Sequence, residues 1–211
     1  MADGYDEASG DKRRVILDAA RDRFLKDGFT KAAMEKVARA AQISTATLYA
    51  HFPSKTELFH NVILDSAEDF AGTMRAVRLD GGRPCERIQA FTRGYARFLA
   101  DPFVRAVLRL TAAERDRIPD AARDVYERGK REVGGPLIAA LEAMSAEGEL
   151  KVASAHQAAG QLMGMIEHPL LLSALMLGDG HQIQRDVDHI ADEAVRTFMA
   201  RYGTQNNAEA A

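Results

Sequence analysis

The 211-residue sequence contains a single cysteine and no long apolar run. Cys85 cannot form an internal disulfide, and this cysteine usage fits a reducing compartment. The longest apolar stretch, residues 170–177, is interrupted by Ser173 and is far too short to span a bilayer. The acidic, polar start of the chain lacks the apolar core of a signal peptide. We therefore predict a cytoplasmic protein with no membrane partner.

Motifs typical of enzymes are also missing from the sequence. The six histidines form no His-Glu-x-x-His zinc pair, and there is neither a Gly-rich phosphate loop nor a Gly-x-Ser-x-Gly turn. One acidic cluster near the C-terminus falls on the polar side of its helix and is interpreted as a solvated face rather than a metal site. It consists of Asp186, Asp188, His189, Asp192 and Glu193. We predict no catalytic residue, metal or cofactor; an enzyme with a helical active-site domain is the alternative.

Charge is distributed unevenly along the chain. Residues 1–11 carry four acids and no Lys or Arg, residues 12–55 carry ten Lys or Arg against four acids, and residues 56–211 carry 18 against 23. Because a local basic block attracts phosphate even when the net charge is −3, we expect only the first quarter of the chain to meet nucleic acid. A purely architectural DNA-binding protein, a second alternative, would be basic throughout.

Apolar residues recur at helical spacing in almost every segment, and nowhere do they alternate as in a half-buried strand. We predict an all-α protein of about nine helices. A turn at residues 80–84 separates the first four helices from the rest. The later helices are predicted near 85–100, 102–116, 119–146, 154–177 and 184–202.

Three short helices are predicted at the start of the chain. The first runs from about residue 12 to 27 and ends at Gly28, and Thr30 is expected to cap the second. Ser44 caps a brief third helix that Pro53 stops, and a capping box at residues 54–57 starts a longer fourth helix. This spacing indicates a helix-turn-helix.

Two adjacent segments carry a family resemblance. FTKAAMEKVA at residues 29–38 and ISTATLYAHFPSKTEL at residues 43–58 closely resemble the DNA-binding head of the TetR family of transcriptional regulators. Gln42 and Ala46 depart from the pattern, because the family often has glycine at both positions. If the turn needs a left-handed residue, Gln42 costs roughly 1–2 kcal/mol relative to glycine; alternatively, Gln42 reaches DNA.

The resemblance implies a homodimer that binds a pseudo-palindromic operator, with the third helix in the major groove. Thr30 and Lys31 would offer a helix N-terminus to the DNA backbone, and small side chains on the third helix would lie nearest the bases. Since that helix has no Arg, Asn or Gln, we expect readout of thymine methyl groups and DNA shape. Simple packing is the alternative for Tyr49 and His51. The predicted DNA-binding residues are Thr30, Lys31, Ser44, Thr45, Ala46, Thr47, Tyr49, His51 and Lys55.

The predicted domains are a disordered tail at 1–11, the helix-turn-helix at 12–57 with helix four from 55 as connector, a ligand-binding and dimerisation domain at 58–202, and a frayed tail at 203–211. Residues 101–103 and 118–127 look like the AefR-type subgroup of the family. The resemblance implies a small-molecule effector that releases DNA, with repression the commoner mode of regulation in the family.

Soft, apolar side chains in the larger domain favour an apolar or aromatic effector, although core packing is the alternative for each. The predicted pocket consists of Phe70, Met74, Phe91, Phe98, Phe103, Leu108, Met144, Met163 and His168. The resemblance also implies a dimer formed by the last two long helices, with burial inside one protomer as the alternative. The predicted interface consists of Gly160, Gly164, Val187, Ile190, Ala194 and Phe198.

Overall fold

A computed structural model describes residues 3–75, 77, 79–177 and 186–204 of the chain. These residues are helices joined by short links, with one β-bridge between Leu150 and Gly203, so the all-α prediction is confirmed. No helix within the described ranges combines the length and apolar character needed to cross a membrane. Residues 205–211 of the predicted frayed tail lie outside the described residues.

The α-helices fall close to their predicted positions. In chain order they are α1 Asp3–Lys31, α2 Met34–Ala40, α3 Thr45–His51, α4 Lys55–Arg75, α5 Pro84–Ala100, α6 Pro102–Glu114, α7 Pro119–Gly129, α8 Gly135–Ala146, α9 Ala155–Glu167, α10 Ser173–Leu177 and α11 Val187–Tyr202. The turn at residues 80–84 separates α4 from α5, as predicted.

Two helices predicted as continuous are interrupted by π-helical turns. Lys130–Gly134 separates α7 from α8, and His168–Leu172 separates α9 from α10. Pro136 lies two residues after the first turn, and Pro169 lies inside the second. A proline ring clashes with the carbonyl group four residues earlier and has no N–H, and a wider turn relieves both problems without ending the helix.

The chain divides into two compact units, and the predicted domain boundary differs from the observed one. The first unit consists of residues 1–68 and 106–125, and the second of residues 69–105 and 126–211. Residues 106–125, predicted to belong to the ligand-binding domain, therefore cluster with the DNA-binding head. Three helices, α4, α6 and α7, each contribute residues to both units.

An aromatic cluster forms the core of the first unit. Gly28 breaks the regular path of α1 with φ +72°, a conformation that glycine adopts without steric cost. The next residue, Phe29, packs with its ring centroid 6.1 Å from Phe24 and 5.0 Å from Phe59, while Phe24 and Phe59 meet edge to face at 4.9 Å. All three rings are buried, so the end of α1 is fixed against α4.

Two predictions for the first unit were wrong. The segment predicted as a disordered tail is helical from Asp3. Thr30 does not cap α2, because a further helical turn follows Gly28 and α2 begins only at Met34. The N-cap of α2 is Ala33, which has no side-chain oxygen.

Ion pairs join α5 to α11 in the second unit. Arg93 makes two 2.9 Å hydrogen bonds to Asp192, and Arg97 donates to both carboxylate oxygens of Asp188 at 3.1 and 2.8 Å. Arg93 lowers the pKa of Asp192, chiefly through this hydrogen bonding. The interpretation of these acids as a merely solvated face was therefore wrong for Asp188 and Asp192: each pairs with an arginine on α5.

The turn between α2 and α3 does use a left-handed residue. Gln42 has φ +56° and is exposed. Replacing Gln42 with glycine should raise the free energy of unfolding by roughly 0.5–1 kcal/mol, because glycine removes the Cβ clash but loses more chain entropy on folding. Urea denaturation followed by circular dichroism measures the change.

Gln42→Ala is the matched control, since alanine removes the same polar group but keeps Cβ. It should give no stabilisation. An equal gain from alanine and glycine would show that backbone strain at Gln42 is not the cause.

Candidate nucleic-acid interface

The third helix, α3, is fixed to the first unit by its apolar side. Leu48 and Phe52 are 0% and 1% exposed. The helix begins at Ser44, whose Oγ accepts a hydrogen bond from the Thr47 backbone N–H at 3.0 Å. Ser44 therefore caps α3 as predicted, and the helix is positioned with its other side outward.

The outward side of α3 carries small side chains and one tyrosine. Thr45, Ala46 and Tyr49 are exposed, Tyr49 by 46%, as their predicted roles require. Thr47 differs, since it is half-buried and its Oγ1 lies 2.8 Å from the Ser44 hydroxyl. Ala50 is exposed one turn after Ala46 but was not among the predicted DNA-binding residues. Its four-residue spacing from Ala46, which places both on one side of the helix, was the signal that could have identified it.

Thr30 and Lys55 are both engaged by the protein itself. The Lys55 Nζ donates to the Thr30 carbonyl oxygen at 3.0 Å and lies 4.8 Å from the centre of the Phe29 ring. Burial lowers the pKa of Lys55, the charge of Arg117 lowers it further, and Glu114 opposes the shift. Lys31 is exposed. Because α2 starts at Met34, Thr30 and Lys31 do not form the predicted helix N-terminus.

Two arginines outside α2 and α3 contact this region. Arg117 donates to the Thr30 Oγ1 at 3.1 Å. Arg13 lies 5.3 Å from the centre of the Phe52 ring and bonds the Asn61 side chain at 2.5 Å. Sequence reasoning missed both residues, and for Arg117 no local signal existed because 87 positions separate it from Thr30.

His51 is half-buried beside Phe52, with ring centroids 6.5 Å apart.

Two family models match the chain. Residues 16–62 match the model for bacterial regulatory proteins of the tetR family, and residues 86–204, more than half of the chain, match the C-terminal domain of AefR-like transcriptional repressors. The chain belongs to the TetR family. It is accordingly a DNA-binding transcriptional regulator rather than an enzyme, and both the predicted family and the predicted subgroup are confirmed.

Individual TetR-family proteins resemble the chain to different extents. The transcriptional regulator UidR from Escherichia coli K12 is 38% identical over 68 residues, 32% of this chain and 35% of UidR; the chain thus matches about a third of the length of this curated relative. A TetR-family regulator structure from Mesorhizobium loti superposes with a TM-score of 0.86 at 27% identity, covering 93% of this chain and 98% of the other. The flavonoid-responsive regulator FrrA gives 0.72 at 28% identity, covering 93% and 99%.

The residues predicted to line the TetR-type effector pocket differ in burial. Met74, Phe91 and Met144 are buried, Phe98, Phe103, Leu108 and Met163 are half-buried, His168 is exposed, and the Phe70 side chain lies outside the described residues. Leu108 belongs to the first unit and the others to the second. The three buried members agree with the core-packing alternative.

The middle residue of an aromatic row on α5 belongs to a partly buried polar pair. Tyr95 stacks between Phe91 and Phe98, with centroid distances of 5.7 and 6.1 Å. Its hydroxyl donates to a Glu167 carboxylate oxygen at 2.6 Å. Burial raises the pKa of Tyr95, and the negative charge of Glu167 raises it further. Sequence reasoning missed both residues of this pair, which lies beside the π-helical turn at His168.

Half of the predicted TetR-type dimer contacts are already buried within one protomer, as the alternative prediction holds. Ile190, Ala194 and Phe198 are 7%, 2% and 1% exposed in a single protomer, because that stripe of α11 packs into the core of its own unit. Gly160 is exposed, and Gly164 and Val187 are half-buried. A Cβ atom built at either glycine would meet no other group within 4 Å. The outer sides of α9 and α11 border a groove lined by Met165, Pro169, His189, Ile190, Glu193, Ala194 and Thr197.

The cap at Ser44 supports α3. Ser44→Ala should lower the free energy of unfolding by about 1 kcal/mol, because the Thr47 N–H loses its acceptor at the end of a seven-residue helix. Chemical denaturation measures the loss. Ser44→Asp, which keeps an acceptor oxygen, should restore most of the stability; equal destabilisation by both variants would contradict the capping role.

Proposed function

We propose that the protein is a ligand-responsive repressor that binds a pseudo-palindromic operator as a homodimer in the cytoplasm and is released by a small aromatic effector. The observation that carries the proposal is α3, a short helix fixed by Leu48 and Phe52 with an exposed side suited to a groove about 12 Å wide. The AefR-like repressor domain over residues 86–204 supports repression.

Base recognition would rely on the small side chains of α3. Thr45, Ala46 and Ala50 are exposed and offer methyl groups for contact with thymine methyls. Thr47, also predicted to lie near the bases, is half-buried, and its hydroxyl is already bonded to Ser44. The exposed Tyr49 and Lys31, with His51, would contact phosphates and fix the register on the duplex.

Regulation would follow a two-state mechanism. A dimer presents two recognition helices about one DNA turn apart, and the effector favours a conformer in which they are misplaced. The helices α4, α6 and α7 contribute residues to both units, so each offers a continuous route for the change. Because coupling between sites is reciprocal, the effector must bind free protein more tightly than DNA-bound protein.

Dimerisation would use the outer sides of α9 and α11. Gly160 and Gly164 leave open space one turn apart on α9, which lets a partner helix approach closely. The groove beside Met165 and Thr197 continues this surface onto α11. A closed two-fold dimer matches the symmetry of a two-half-site operator.

An aromatic effector is favoured by the row of Phe91, Tyr95 and Phe98, since stacked rings accept a flat aromatic guest. The Tyr95–Glu167 pair would supply the polar contact that orients it. The similarity to FrrA, which responds to flavonoids, points to hydroxylated aromatic compounds.

DNA binding is tested by fluorescence anisotropy with the DNA upstream of the protein's own gene, followed by selection from random duplexes if that DNA fails. Tyr49→Ala should weaken specific binding about tenfold, the effect of losing one hydrogen bond to a charged phosphate. Folding should be unaffected because Tyr49 is an exposed side chain.

Tyr126→Ala is the matched control, since Tyr126 is 66% exposed and lies on α7 outside the helix-turn-helix. It should bind like the wild type. Absence of any specific duplex in the selection, or equal effects of the two substitutions, would contradict the proposed interface.

Effector binding is tested with a panel of flavonoids by thermal shift and by release of labelled DNA. At least one compound should raise the melting temperature and release DNA, and Phe98→Ala should weaken its binding at least tenfold by removing a half-buried ring from the row. Tyr126→Ala again serves as control. A compound that binds Phe98→Ala as tightly as the wild type would contradict the proposed site.

A further inference from the structure

Arg117 lies in the turn between α6 and α7, within the segment that matches the AefR-like C-terminal domain. Its side chain nevertheless contacts Thr30 of the DNA-binding head, in the same compact unit. One nitrogen, Nη1, donates to the Thr30 Oγ1 at 3.1 Å and to a Glu114 carboxylate oxygen at 3.0 Å. The C-terminal half of the sequence thus supplies a side chain to a residue predicted to bind phosphate.

Thr30 is held from two directions. Arg117 bonds its hydroxyl oxygen, and Lys55 bonds its carbonyl oxygen at 3.0 Å. Both cations also lie over the neighbouring Phe29 ring, with Lys55 Nζ at 4.8 Å and Arg117 Cζ at 5.7 Å from its centre. Cations are attracted to the face of an aromatic ring, and Phe29 itself is buried in the aromatic cluster. The arrangement fixes Thr30 to the core of the unit.

The bond from Arg117 also determines what the Thr30 hydroxyl can do. A hydroxyl has one hydrogen to donate and two lone pairs to accept with, whereas a guanidinium can only donate. Because Arg117 fills one of the lone pairs, the hydroxyl hydrogen remains available to an outside acceptor. Thr30 is exposed, and a DNA phosphate oxygen is an acceptor only.

We propose that Arg117 is a positioning residue for operator binding: it orients the Thr30 hydroxyl as a hydrogen-bond donor to a DNA phosphate. This inference rests on the proposed function. It assigns to the α6–α7 turn, far from the helix-turn-helix in sequence, a direct part in forming the DNA-binding surface. A conformational change at this turn would therefore alter operator affinity through Thr30 as well as through α4.

The test compares Arg117→Gln with Arg115→Gln in the full-length protein. Both arginines lie in the same turn, and their side chains are largely exposed, by 56% for Arg117 and 66% for Arg115. Each substitution removes one positive charge. Arg115 pairs with Asp116 and the Ala112 carbonyl rather than with Thr30. Arg117→Gln should weaken binding to a selected operator about tenfold, and Arg115→Gln less than twofold.

The salt dependence of affinity distinguishes positioning from direct contact. The slope of log affinity against log salt should be the same for Arg117→Gln and the wild type, because a positioning residue touches no phosphate. A slope smaller by about one would show that Arg117 itself binds phosphate and would overturn the proposal. Equal effects of the Arg115 and Arg117 substitutions would also overturn it.

A double-mutant cycle with Thr30→Val shows whether the two residues act as one unit. Valine keeps the shape of threonine without the hydroxyl, so combining Thr30→Val with Arg117→Gln should weaken binding no more than the stronger single change. Thr30→Ser, which retains a hydroxyl, should bind like the wild type. Additive effects would contradict the proposal. Failure of the wild type to select any operator would instead contradict the proposed function, and circular dichroism of each variant verifies folding.

Discussion

The packing of Phe29 fixes the geometry of the proposed DNA-binding surface. Gly28, with φ +72°, turns the chain so that the Phe29 ring enters the cluster with Phe24 and Phe59. Lys55 and Arg117 lie over the same ring and bond the adjacent Thr30. The end of α1, the start of α4 and the α6–α7 turn are consequently fixed to one another through a single aromatic side chain.

Much of this fold could be predicted from the sequence because its signals are local. Helical spacing, the Ser44 cap and the breaks at proline and glycine placed most helix bounds within a few residues of those observed, although α1 begins nine residues before its predicted start at residue 12. The start of α2 was predicted too early, because Thr30 is a good capping residue by type while the chain makes an extra turn after Gly28. The π-helical turns were missed because proline in a helix predicts a break or kink, not a wider turn.

The side-chain partners were harder to predict because they depend on contacts distant in sequence. The pairing of Arg93 with Asp192 and that of Arg117 with Thr30 join positions about 90 to 100 residues apart. The apolar stripe of α11 suits a core and a dimer equally well in sequence, and only the packing of the protomer assigns Ile190 and Phe198 to the core. The contact between Arg117 and Thr30 also places the α6–α7 turn in the same unit as the helix-turn-helix. The structural boundary between the two units therefore does not coincide with the boundary between the two sequence domains.

The central claim is that the small side chains of α3 read the major groove. Its most direct test is the binding of the wild-type protein to a selected operator in which each thymine is replaced in turn by uracil, which removes only a major-groove methyl group. We expect one or more replacements in each half-site to weaken binding about fourfold, the effect of losing one buried methyl contact. Uniform indifference to uracil, with discrimination confined to guanine positions, would contradict it.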